Sequence, residues 1–127
     1  MRFFRVWNTA AVGVLLGGLA TSQSAPVDVL IDDTGAVIAQ HQERHVKNGQ
    51  VLRWRRTSAG SWYVNFRDSP CQDGIREFGS TGGRQQTCTI TVECSNAGDP
   101  GCRSYHYASA TSGNATMHDQ EIVVDNN

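Results

Sequence analysis

Cysteine is missing from the first half of this chain: none of its 127 residues before Cys71 is one, although four follow. That absence rules out a lipid-modified cysteine near the N-terminus. Long hydrophobic runs are missing too. An uncharged, mostly apolar segment runs from Ala10 to Ala20, too short for a bilayer core of about 30 Å, which takes roughly 20 residues of helix. An excess of one charge is the third absence. Lys and Arg number 11 against 12 Asp and Glu, so nothing here draws the protein to nucleic acid or an anionic membrane. Helical periodicity and internal repeats do not occur. Nor does a catalytic signature: there is no Gly-x-Ser-x-Gly elbow, zinc-protease helix motif or phosphate-cradling glycine loop. No enzymatic activity is expected.

What is present begins with the layout of a secretory signal. Arg2 and Arg5 precede the apolar segment, and small polar residues follow it around Thr21 to Ser24, predicting a cleaved signal over residues 1–22 and one domain over 23–127. Arg2 and Arg5 are not adjacent, unlike the twin-arginine signal, so the chain is expected to leave the cytoplasm unfolded. The expected location is the periplasm or the medium, with no membrane span after cleavage. About 105 residues suffice for one core and not for two. Four cysteines in an oxidising compartment predict two disulfides.

Alternation with period two dominates the exported part. "VDVLI" puts Val27, Val29 and Ile31 on one face, and Asp32 to Gly35 forms a turn. Asn48-Gly49 reads as a hairpin dipeptide, since both residues tolerate positive φ. "VLRWRR", "SWYVNF", "TCTITVEC", "RSYHYAS" and "EIVVD" read as further strands. Residues 68–86, rich in Gly, Ser, Asp and Gln, read as one long loop with a helical turn near Ile75 and Phe78. Seven or eight short strands without a helix predict an all-β antiparallel sandwich.

Strand geometry narrows the disulfides. Cys88 and Cys94 on one extended strand would lie roughly 20 Å apart at about 3.3 Å per residue, whereas a disulfide holds Cα atoms about 5.5 Å apart. A hairpin between strands 88–94 and 102–108 would bring Cys94 to Cys102. Cys71 with Cys88 remains, pinning the long loop to the sheet.

Several residues invite a functional reading. Cys102, His106, Met117 and His118 supply the thiolate, imidazole and thioether of a blue-copper centre, but a sulfur joined to Cys94 cannot ligate, and Tyr105 and Tyr107 alternate with His106 so that its ring points away from theirs. His41 and His45, about 13 Å apart in extended chain, do not suit a shared metal. Arg53 and Arg55 flank Trp54; alternation sends Trp54 inward and leaves the two guanidiniums in solvent, as a candidate patch for a small anionic ligand. "NAT" at Asn114 matches a glycosylation acceptor, relevant only in a eukaryotic secretory pathway.

The order "NGQVLRW", "WYVNF", a cysteine-bearing loop, "CTITVEC", "YHY" and "HDQEIVV" resembles the small secreted cupredoxin-like domains of bacteria over nearly the whole exported part. The resemblance implies a Greek-key β-sandwich. In copper-binding members it would place a histidine near the start of the strand holding Trp62 and a cysteine just after the "YHY" strand. No histidine stands at the first place, and Ala108 and Ser109 occupy the second. The expectation is therefore a metal-free binding or accessory protein without cofactor, its partner a periplasmic or cell-surface protein or a small anionic ligand. The alternatives are a copper-binding electron-transfer or metal-handling protein, and a small hydrolase or hydrolase inhibitor.

Overall fold

The computed structural model describes residues 25–126; the signal segment expected over residues 1–22 lies outside the described residues. Eight strands form two packed sheets: β1 (Val27–Ile31), β2 (Glu43–Lys47), β3 (Val51–Arg56), β4 (Trp62–Phe66), β5 (Glu77–Ser80), β6 (Gln86–Thr89), β7 (Ser104–Ala110) and β8 (His118–Asp125). The larger sheet has the order β2-β8-β7-β4-β5, the smaller β1-β3-β6. Two short 3-10 turns, Ala39–His41 and Gln72–Gly74, are the helical elements among the described residues. None is long and apolar enough to cross a membrane.

Four strand pairs are antiparallel, as expected, but β1 with β3 and β2 with β8 run parallel. These parallel pairs correct the reading of Asn48-Gly49. Gly49 does take a positive φ of 91°, yet the turn joins β2 of the large sheet to β3 of the small one. The chain changes sheets there instead of doubling back, because each strand already has a partner elsewhere.

Alternation decides which side chains meet. Leu52 and Trp54 of β3, Trp62, Val64 and Phe66 of β4, Tyr105 and Tyr107 of β7, and Ile122 and Val124 of β8 all point between the sheets and are buried. Trp54 is the centre of an aromatic cluster. Its ring stacks on Phe78 at 5.0 Å and meets Phe66 and Tyr107 edge-on at 5.7 and 6.1 Å. Such pairs add about 0.5–1.5 kcal/mol each beyond the area they bury, and here they join the small sheet to the large one.

Phe78 overturns the long-loop reading of residues 68–86. Glu77–Ser80 pairs with β4 as an edge strand, although Gly79 and Ser80 have little strand preference. Packing overrides propensity here: Phe78 covers Trp54, and Gly79 lies so close to β4 that a Cβ would stand 2.9 Å from the Trp62 carbonyl oxygen.

The structure joins Cys71 to Cys88 and Cys94 to Cys102, with Cα separations of 5.3 and 5.0 Å. The hairpin invoked for the second bridge does not form. β6 ends at Thr89 and belongs to the small sheet, while β7 belongs to the large one. Local reversal brings Cys94 and Cys102 together instead. Asp99 Oδ2 accepts from the amides of Ser95 and Asn96 at 2.9 and 3.0 Å, and Gly101 passes where a Cβ would come within 2.2 Å of the Glu93 carbonyl oxygen. Each closed loop removes conformational freedom from the unfolded chain, for roughly 2–4 kcal/mol per bridge.

Candidate functional site

The outer face of the small sheet holds the arginines singled out by sequence. In the parallel register Asp28 of β1 lies directly beside Arg53 of β3. Asp28 accepts from Arg53 Nε at 2.7 Å and Nη2 at 3.2 Å, and from Arg55 Nη2 at 3.3 Å. Arg53 is 28% exposed and Arg55 44%, so they do not stand freely in solvent as expected; one carboxylate ties them both. The Arg53 hydrogen bond, more than any other influence, holds the Asp28 carboxyl below the usual carboxylate range. Trp54, between them, is fully buried.

The blue-copper candidates do not converge. Cys102 is bonded to Cys94, whose sulfur lies 3.8 Å from the Val124 carbonyl oxygen, near the end of β8. His118 opens the same strand, roughly 20 Å away along six extended residues. His106 points to the outer face of the large sheet, 55% exposed and 3.9 Å from Glu121. His118 pairs in register with buried Ser109, on the opposite parity, and its Nε2 lies 3.3 Å from the Thr34 carbonyl oxygen. Met117 is 43% exposed.

The other histidines have their own partners. His41 Nδ1 accepts from the Leu30 amide at 3.1 Å, and burial lowers its pKa, favouring the neutral ring. His45 lies between Glu43 at 2.9 Å and Asp125 at 2.8 Å, and those hydrogen bonds, Glu43's first, raise its pKa. Among the described residues no group of three or more His, Cys, Asp or Glu is placed to hold a metal ion.

Two depressions remain. At one end of the sandwich, the start of β4 meets the loop after β7 around a cleft of about 700 Å³. Of the two ligand positions that the cupredoxin resemblance implies, this cleft holds the first, at the beginning of the Trp62 strand; the second, Ala108 and Ser109, lies within β7. The cleft lining consists of hydroxyls such as Ser61 and Thr111, the Trp62 and Tyr63 rings, Arg84 and glycines, with no imidazole, thiol or thioether. The Trp62 indole donates to the Arg84 carbonyl at 2.8 Å and the Ser61 hydroxyl to the Thr111 carbonyl at 2.7 Å, which closes the strand start onto its neighbours. This donor set does not fit a copper ion.

The second depression, about 320 Å³, lies on the outer face of the large sheet. It exists because Ala108, at the centre, is shorter than everything around it. Ala108 pairs with Asn65 of β4 on one side and Asp119 of β8 on the other. His106 precedes it by two residues on the same face. Arg67 extends β4 at the rim, its amide bonded to the His106 carbonyl at 3.0 Å. Arg76 enters from the segment before β5, donating Nε to the Phe66 carbonyl at 3.1 Å and leaving its terminal nitrogens for the groove. Met117 supplies an apolar wall. Among the described residues neither Arg67 nor Arg76 has a carboxylate partner, and Asp119 has no cationic one.

Sequence reasoning missed this groove. Alternation in "WYVNFR" does send Asn65 and Arg67 outward, but the nearness of Arg76, Ala108 and Asp119 follows only from register. Of the copper candidates, His106 and Met117 both line the groove.

No protein-family model matches this chain, and no curated protein matches it. Solved structures do. A reduced amicyanin variant aligns with a TM-score of 0.50 at 18% identity, over 80% of this chain and 83% of the other. A second amicyanin variant, in its reduced Cu(I) form at pH 4, aligns with a TM-score of 0.49 at 18% identity, over 80% and 84%. At such identity the likeness is one of fold. With two sheets, eight strands and the order described above, the chain is a cupredoxin-like β-sandwich whose cysteines are paired in disulfides.

Proposed function

We propose that this protein acts outside the cytoplasm, in the periplasm or the medium, as a metal-free binding or accessory protein with no catalysis of its own. The reading rests above all on the cysteines. Both sulfurs near the C-terminal strands are joined to each other, so neither is a free thiolate for copper, and the cleft at the start of the Trp62 strand presents hydroxyls and aromatic rings. Disulfides of this kind belong to an oxidising compartment, and the N-terminal sequence has the form of an export signal. What such a scaffold offers instead is a rigid sheet face bearing charges without partners.

The test is addition of cupric ion to the purified, oxidised protein. A copper thiolate centre absorbs intensely in the visible; the expected result is no such band. Its appearance, with one free thiol by titration under denaturing conditions, would overturn the reading in favour of electron transfer.

A further inference from the structure

We infer that the groove over Ala108 binds a small zwitterion, its carboxylate on Arg67 and Arg76 and its ammonium on Asp119. The inference builds on the metal-free binding reading and names the ligand chemistry. Of the side chains that line the groove, the two arginines stand on the β4 and β5 side and Asp119 on the β8 side. Neighbouring strands are about 4.8 Å apart, so the backbones of the two walls lie roughly 10 Å apart across the Ala108 strand. No ion pair crosses that gap among the described residues. Four other arginines have carboxylate partners, Arg53 and Arg55 with Asp28, Arg56 with Asp33 and Arg103 with Asp68, while among the described residues Arg44 and Arg84, like Arg67 and Arg76, have none. Opposite charges held at a fixed distance, without touching, are complementary to a molecule that carries both.

The rest of the lining agrees. A guanidinium with free terminal nitrogens binds a carboxylate in bidentate fashion, through shorter and stronger hydrogen bonds than neutral groups make. A purely anionic ligand would meet Asp119 as a like charge. A purely cationic one would meet both arginines. The Ala108 methyl and the Met117 thioether offer apolar contact for a short aliphatic chain. The volume is at the small end of the roughly 300–1,000 Å³ of small-molecule sites. The shared chemistry, one carboxylate and one ammonium on a short apolar frame, comes either from a free amino acid or from a peptide of two or three residues, since each extended residue adds about 3.3–3.6 Å between the charges.

The experiment is titration of the isotope-labelled, oxidised protein with L-alanine, dialanine and trialanine, followed by amide chemical shifts. One of the three is expected to saturate, moving Asn65, Ala108 and Asp119, and its length distinguishes the amino acid from the peptide source. N-acetylation, which removes the ammonium, should weaken binding at least about tenfold, and so should C-terminal amidation. Asp119→Asn should weaken the zwitterion and leave the acetylated form unchanged. Ala108→Phe, which fills the groove, should abolish saturation; should that variant misfold, Arg67→Ala with Arg76→Ala must abolish it in a folded protein. Absence of saturation by all three probes up to about 10 mM, or equal binding of the acetylated form, would overturn the inference. Neither result touches the metal-free reading, which falls only if the copper band appears.

Discussion

The two sheets carry the same side chain, arginine, on their outer faces and use it in opposite ways. On the small sheet a single aspartate draws Arg53 and Arg55 together, so each guanidinium has a carboxylate partner. On the large sheet Arg67 and Arg76 line a groove opposite Asp119 without reaching it, and the face is open. Residue type does not separate the two cases. Strand register does: Asp28 is the direct neighbour of Arg53, whereas Asp119 is separated from β4 by the whole width of β7. A guanidinium beside its carboxylate is part of the fold, and one held apart from it is available to something else.

The strongest way to break this comparison is to remove what fixes the paired face. Trp54→Ala, beneath Arg53 and Arg55, should lower stability by about 3–5 kcal/mol in denaturant titration. A loss under about 1.5 kcal/mol would mean that the aromatic cluster does not hold the strand in register.

Next comes the covalent tie. Cys71→Ser with Cys88→Ser opens a loop of 17 residues and should cost about 3 kcal/mol. It should also loosen the segment that carries Arg76, seen as faster amide exchange before β5. Unchanged exchange there would show that the groove wall is held by β5 pairing alone.

A smaller effect separates the two aspartates directly. Asp28→Ala leaves two half-buried guanidiniums side by side without their acceptor and should cost about 1–3 kcal/mol; Asp119→Ala, free of partners, should stay within about 0.5 kcal/mol. Equal losses would erase the distinction between paired and open faces. The same contrast holds in pH. Because the Arg53 hydrogen bond lowers the Asp28 pKa, its contribution is complete above the ordinary value of about 3.9 and is lost as pH falls through the lowered folded value. Asp28→Asn should therefore flatten the acid limb of stability, and an unchanged limb would count against the pairing.

The smallest effect belongs to His45, also on the outer face of the large sheet. Its pKa is raised, first by Glu43 and then by Asp125, so the stability it brings is complete below about 6.5 and is lost as pH climbs through the raised value. All three side chains are about half exposed, and solvent screening limits the contribution to a few tenths of a kcal/mol at most, near 0.3. His45→Gln should remove that slope. A slope that persists would have to come from another group.

Strands with strict alternation were legible in the sequence: β1, β3, β4, β7 and β8 all sit where apolar residues recur every second position. β5 was not, since of its four residues only Phe78 is buried and the pairing that makes it a strand comes from Trp54 across the core. "TCTITVEC" looked like one strand because its alternation continues to Cys94, yet the chain leaves the small sheet after the Cys71–Ile90 bridge to place Cys94 under the end of β8. The disulfide partners came out as expected although the hairpin behind one of them does not exist; nearness in sequence, a separation of 8 residues from Cys94 to Cys102, sufficed. The Arg53 and Arg55 patch was legible as chemistry and not as an ion pair, because Asp28 is 25 residues away. The groove was invisible for the same reason, with its walls drawn from four separate segments.

The parallel pairing of β2 with β8 sets an order of events. β2 lies at an edge of the large sheet and its one strand neighbour among the described residues, β8, follows it by more than seventy residues, as in Glu43 beside Glu121. Until β8 arrives, the backbone of β2 has no ladder to join. Contacts between segments so distant slow folding, because a long loop must close before any of its pairings is rewarded. In a chain made from its N-terminus, β1 and β3 can pair early through a short connection, while β2 waits as an unpaired strand until β8 follows. The time spent in that state, and not the stability of the finished sandwich, is the interval in which this protein is open to proteases and to association with its own copies.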